Sequence, residues 1–146
     1  MIRVQNWEFA LSDFFAEKEH RPFDYGVWDC CLFVCSAIQV ITGIDPAESF
    51  RGKYGSLHEA LTLIKARYGV GTVPTVVEKV TAEHGMKEIP PAFAQRGDIV
   101  LLELAEDDFT LGMVHLNGTD VVFPHALLGL RRHPVLSPEA KKAWRV

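Results

Sequence analysis

The run from Cys30 to Thr42, Cys-Cys-Leu-Phe-Val-Cys-Ser-Ala-Ile-Gln-Val-Ile-Thr, sets the tightest limit on what this chain can fold into. Asp29 precedes it as a favoured N-cap and Gly43 follows it as a C-terminal stop, so the run reads as one helix. It is apolar nearly all round, and such a helix must be covered on several sides. The longer stretch to Ile44 is interrupted by Ser36, Gln39 and Thr42 and is too short to span a bilayer, so no membrane insertion is expected. The rest of the chain has to wrap this helix.

The same run carries all three cysteines, Cys30, Cys31 and Cys35. Adjacent and one-turn spacings do not make a disulfide framework, which points to synthesis in a reducing compartment. There is no CxxC pair for structural zinc and no set of four thiolates for an iron–sulfur cluster, so neither metal nor cofactor is expected. Cys31 and Cys35 read as packing residues. Cys30 differs, because it falls on the first helical turn behind the Asp29 cap. Unpaired backbone N–H groups and the positive end of the helix dipole favour the thiolate there, the nucleophilic form.

The remainder is ordered in two halves. Trp7 to about Lys18 reads as an amphipathic helix with Trp7, Leu11, Phe14 and Phe15 on one face. Ser56-Leu57-His58-Glu59 is a capping box opening a helix to Tyr68, with Gly69 as its stop. Pro74 starts another helix that ends near Gly85. Past Pro90-Pro91 the period changes. Gly97-Asp98 leads into the strand Ile99 to Leu102, and Phe109–Leu116 and Thr119–Phe123 flank Asn117-Gly118, a hairpin signal. A short strand is expected near Leu130–His133. Ser137-Pro138 predicts a short C-terminal helix carrying Trp144. Helices followed by an antiparallel sheet make an α+β fold, and 146 residues with 48% hydrophobic content fit one domain over 1–146. The net charge is −4 with no basic stripe, which disfavours a nucleic-acid partner. No apolar segment follows Arg3, so Met1 to Glu8 does not read as a signal peptide.

In their order these motifs resemble the NlpC/P60 cysteine peptidases, which share the papain-like core. Asp29-Cys30 matches the family's nucleophile step, and Gly97-Asp98-Ile99-Val100 matches its Gly-Asp strand entry. Thr110-Leu111-Gly112-Met113-Val114-His115-Leu116-Asn117-Gly118 matches its His-Val-Gly-Ile strand and turn. Pro22-Phe23-Asp24-Tyr25-Gly26 resembles the lead-in Pro-Tyr-x-Trp-Gly. The resemblance covers about Pro22 to Ala126. It implies a buried Cys-bearing helix packed on a C-terminal antiparallel sheet. It also implies that the catalytic His falls on Thr110 and the supporting Tyr on Phe23, two departures at working positions. Thr cannot act as a base near neutral pH, and general acid–base catalysis is worth ~10²–10⁴-fold.

Six histidines are candidates to replace the missing base. His20, His58 and His84 read as solvated, and His133 as loop. A two-residue Asn117-Gly118 turn sets His115 opposite Asp120, where a surface pair worth ~0.2–1 kcal/mol explains it. The same register sets His125 opposite Thr110, on one face. Phe123-Pro124-His125-Ala126 also resembles the family's Phe-Ile-His-Ala, so His125 is the candidate relocated base. Pro124 cannot donate a ladder hydrogen bond, and the pairing could end before it.

More closely, Gly43-Ile44-Asp45-Pro46, Phe50-Arg51-Gly52-Lys53-Tyr54 and Ala143-Trp144-Arg145 resemble a group of small phage and prophage proteins laid out like the peptidase component of tail tips. That resemblance implies a tail-tip or tail-assembly protein with a degenerate peptidase site. It would be made in the host cytoplasm, carried in the virion, and partnered by other phage tail-tip proteins. The alternative is an active thiol endopeptidase or amidase that cuts peptidoglycan stem peptides during entry through a Cys30–His125 dyad. A host-side thiol enzyme with a small substrate is the third reading.

Overall fold

Four helices precede six strands, and the computed structural model, which describes residues 1–146, assembles them as an α+β fold. The helices are α1 (Trp7–Lys18), α2 (Cys30–Thr42), α3 (Leu57–Tyr68) and α4 (Val73–Glu83). The strands are β1 (Lys87–Ile89), β2 (Ile99–Ala105), β3 (Asp108–Val114), β4 (Asp120–His125), β5 (Gly129–Pro134) and β6 (Ala140–Arg145). They form one antiparallel sheet in the order β1-β6-β2-β3-β4-β5. No helix is long and apolar enough to cross a membrane.

Local chemistry explains the helix ends. The Asp29 carboxylate accepts the Leu32 N–H at 2.9 Å, and Gly43 closes α2 in the left-handed region at φ 80°. Ser56 Oγ accepts the Glu59 N–H, while the Glu59 carboxylate reaches back to the Gly55 N–H. Helices α2 and α3 are thus capped at their starts by side chains and at their ends by left-handed glycines, which supply partners for groups the helix itself leaves unpaired. As its composition demands, α2 is buried along Leu32, Phe33, Val34, Cys35, Ala37, Ile38 and Ile41.

The sheet is apolar on both faces. Ile99, Leu101, Leu111, Met113, Val122 and Trp144 pack with α1 and α2. Val100, Leu102, Val114, Val121, Phe123 and Ala143 form a second core on the other face, closed by Ala94 and Val135. A ring cluster of Phe14, Phe15, Trp28 and Phe33, with centroids 5.6–6.2 Å apart, joins α1 to the segment leading into α2. Such aromatic pairs add about 0.5–1.5 kcal/mol beyond their area burial.

Three expectations are corrected. Residues Ala140–Arg145 are a strand, not a helix, and lie between β1 and β2. Strand β2 is covered on both faces, so its backbone groups need neighbours on both edges. That long-range demand overrides the local helix signal of Ser137-Pro138. His133 is not loop either. It lies in β5 opposite Val121, with Nε2 3.5 Å from Glu139.

The third correction concerns register. β3 and β4 pair at Met113–Val122 and Val114–Val121, and the His115 N–H donates to the Asp120 carbonyl, as the turn at Asn117-Gly118 requires. The ladder does not continue to Thr110 and His125. Pro124 has no N–H to give to β3, while on its other edge β4 stays paired with β5 through Pro124–Leu130 and His125–Gly129. The approach just before the parting is close. A side chain at Gly112 would meet Val121 Cγ1 at 2.4 Å and the Val122 carbonyl oxygen at 2.6 Å, so only glycine fits there.

Candidate functional site

Where β3 and β4 part, an opening forms at the start of α2. Cys30, Thr110, Leu111, Phe123, Pro124 and His125 all line it. It is the mouth of a cleft of about 590 Å³ that extends under α3 and α4.

Asp29 organises this corner. It is buried to 4% exposure and accepts three donors: the Leu32 N–H at 2.9 Å, the Gly26 N–H at 3.1 Å and the Tyr54 hydroxyl. Gly26 makes the third possible. It sits at φ +82°, and a Cβ there would overlap the Tyr54 carbonyl oxygen at 1.8 Å, so any side chain would push Tyr54 away. The Gly52 N–H donates to the Gly26 carbonyl at 3.0 Å and ties the Tyr54 segment down. Asp24 and Trp28 exchange two backbone hydrogen bonds of 3.0 and 2.6 Å, which shapes the turn that delivers Asp29 to the helix. Burial first, and then the Asp29 charge, push the Tyr54 hydroxyl well above its ordinary range, so it stays protonated as a donor.

Cys30 is half-buried. Its pKa is shifted below that of an ordinary thiol, first by the Cys31 S–H, which donates toward the Cys30 sulfur. Burial and the Asp29 carboxylate oppose the shift; the Leu111 backbone N–H and the Thr110 hydroxyl reinforce it. The unpaired N–H groups of the first helical turn act in the same direction. Cys31 moves the other way, pushed well up by serving as that donor and by burial. It therefore does more than pack. Cys35, deeper along α2, is pushed up by burial to about 12 and is inert at neutral pH.

The structure brings Thr110 to Cys30. It also sets Phe23 in the cleft wall, edge-on to Tyr25 with ring centroids 4.9 Å apart. His125 lies in the same wall, with its Nδ1 accepting the Leu127 N–H at 3.0 Å. That bond leaves the proton on Nε2, so the neutral ring has no free lone pair to act as a base without breaking it. The strongest influences on the Cys30 sulfur come from Cys31, burial, Asp29, Leu111 and Thr110; His125 is not among them.

His115 turns away from this site, as alternation along β3 predicts, but it does not pair with Asp120 through its side chain. Its ring stacks on Phe15 at 5.5 Å, and Asp120 takes Asn117 and Arg132 instead. Burial and the Arg132 charge lower its basicity.

Two hydroxyls of the site were not singled out from the sequence. Tyr54 lies 25 positions from the carboxylate it serves. Tyr25 is held from ionising by burial and then by the neighbouring Cys30 and Asp29 charges, which push its pKa up, so it offers the mouth a neutral O–H donor. Its place in the lead-in Phe23-Asp24-Tyr25-Gly26 was the available signal. Asp98 closes the turn that enters β2, accepting the Gln95 N–H at 2.9 Å. It also takes Arg3, Arg145 and the Val146 N–H, and so belongs to the chain ends and not to the cleft.

The chain belongs to the family described as Domain of unknown function (DUF6950), whose model matches residues 2–146. No curated protein matches it.

Proposed function

We propose that this DUF6950 chain is an NlpC/P60-like domain whose thiol site no longer cleaves amides, and that it serves as an assembly component of a phage tail tip. What carries the first half is Thr110. It stands beside Cys30 at the position where the peptidase resemblance expects a histidine base. A thiolate can attack an amide carbonyl there, but the departing amine needs a proton that threonine does not supply, so the adduct collapses back. His125 shares the cleft wall but is engaged by its own loop. The well-bonded Asp29 cap keeps the helix start intact whether or not turnover occurs.

The tail-tip role is supported by the resemblance of Gly43–Pro46, Phe50–Tyr54 and Ala143–Arg145 to small phage and prophage proteins, and its partners are other tail-tip proteins. The competing reading, a peptidoglycan stem endopeptidase with a Cys30–His125 dyad, requires His125 to release Leu127 and swing to the sulfur.

The test is muropeptide cleavage followed by mass spectrometry, with wild type beside Cys30→Ala. No cleavage by either protein is the expected result. Cleavage by wild type that disappears in Cys30→Ala establishes the enzyme and removes the assembly-only reading.

A further inference from the structure

The cleft does not end at Cys30. It continues between α2 and the α3–α4 pair, where Leu61, Ile64, Val73, Val76, Val77 and Met86 line it. Charge is confined to the other end. The charged lining residues are Asp29, Asp107 and Asp108, with His125 titratable beside them, and no lysine or arginine is present. Asp29 is spent on its three donors. Asp107 lies in the β2–β3 turn and Asp108 opens β3, and Asp108 acts on the Tyr25 hydroxyl beside Cys30. The cleft is thus polar around the thiol and apolar beyond it. Leu127 and Leu128, the residues after lining residues His125 and Ala126, are 87% and 55% exposed and extend the apolar character to the rim.

Two physical arguments narrow the occupant. A polypeptide threaded under α3 and α4 would carry an N–H and a C=O at every residue into a wall of aliphatic side chains, and those groups would go unpaired. A hydrocarbon chain has no such groups, and about 590 Å³ lies in the range of small-molecule sites. The second argument is the missing proton donor. An amine cannot leave without one, whereas a thiol with a pKa of about 8.5 departs readily as the thiolate.

We propose that the Cys30 cleft accepts a linear apolar acyl group, delivered as a neutral thioester, onto the Cys30 sulfur. The Cys30 thiolate attacks the carbonyl carbon and a C–S bond forms. The tetrahedral oxyanion lies near the helix-start N–H groups and the Tyr25 hydroxyl. The original C–S bond then breaks, its electron pair leaves with the carrier sulfur, and that thiolate takes a proton from water. Nothing is oxidised or reduced. The acidic mouth disfavours phosphate-bearing carriers, so the carrier is uncharged. This step rests on the reading of the site as a thiol without an amide-cleaving base.

The experiment offers the full chain acetyl and octanoyl thioesters of N-acetylcysteamine at neutral pH and reads intact mass and peptide maps. The expected result is an octanoyl adduct on Cys30, absent in Cys30→Ser and formed at least about tenfold faster than the acetyl adduct. Filling the apolar end with Val76→Phe or Ala60→Phe should remove that preference while leaving the acetyl and iodoacetamide rates of Cys30 unchanged in whichever variant folds. Equal octanoyl and acetyl rates in wild type, acylation elsewhere than Cys30, or no acylation despite rapid iodoacetamide reaction would overturn the proposal. Equal rates would return the cleft to a partner's polypeptide. Each of these results leaves the muropeptide result untouched, so the two readings fail separately.

Discussion

Two buried aspartates do opposite work. Asp98 is fully buried and binds cations: Arg3 at 3.1 Å and Arg145 at 3.0 Å, with the N–H groups of Gln95 and Val146 completing it. It clasps the two chain ends to the entrance of β2. Asp29 is as deeply placed, but no cation touches it; two backbone N–H groups and the Tyr54 hydroxyl satisfy it. Each occupies one of the two Asp-bearing motifs that carried the peptidase resemblance. The difference shows how a site can be held without being driven. Asp98 fixes the scaffold with charge, while Asp29 fixes a helix start with neutral donors and leaves its negative charge acting on Cys30, against the thiolate.

Removing the clasp should have the largest effect. Asp98→Ala leaves two arginines without their carboxylate and should cost about 3 kcal/mol, read as a lower urea midpoint at unchanged slope. Once the variant is folded at low urea, the Cys30 alkylation rate should stay at the wild-type value. A changed rate would couple the two aspartates and break the comparison.

Tyr54→Phe attacks the other carboxylate. It deletes a hydrogen bond to a buried charge and should cost about 2 kcal/mol in the same urea experiment. Loss of less than a few tenths would mean that Asp29 does not depend on Tyr54.

Asp29→Asn keeps one capping oxygen but turns an NH2 toward donors that the carboxylate now accepts, so its stability loss should be at least that of Tyr54→Phe. Its signature lies in pH. The Asp29 charge holds the Cys30 pKa up, so removing it should move the midpoint of iodoacetamide reaction to lower pH. The thiolate then survives further into acid, and reaction below the wild-type midpoint becomes faster. A midpoint shifted upward would show that Asp29 assists the thiolate, contrary to this account.

Much of the fold was legible because its signals are local. Helix α2 is bounded by Asp29 and Gly43 and α3 by Ser56 and Gly69, and each signal acts within a turn of the residue that carries it. Thr110 was legible through motif order, and the structure does set it beside Cys30. What escaped was long-range. The β6 strand is chosen by the unpaired edge of β2, which Ser137-Pro138 cannot report. The Tyr54 hydroxyl reaches Asp29 only because Gly26 has no side chain to block it, a fact about packing between distant segments. The lost register beyond Met113–Val122 had a warning in Pro124, which has no N–H to offer β3.

The central claim is that the absence of a base at position 110 keeps Cys30 from cleaving amides. Stem-peptide cleavage by Thr110→His, measured by mass spectrometry beside wild type, tests it most directly. The account predicts no product from wild type, and product from Thr110→His that vanishes when Cys30→Ala is added. Wild-type cleavage at a rate equal to or above that of Thr110→His would contradict it.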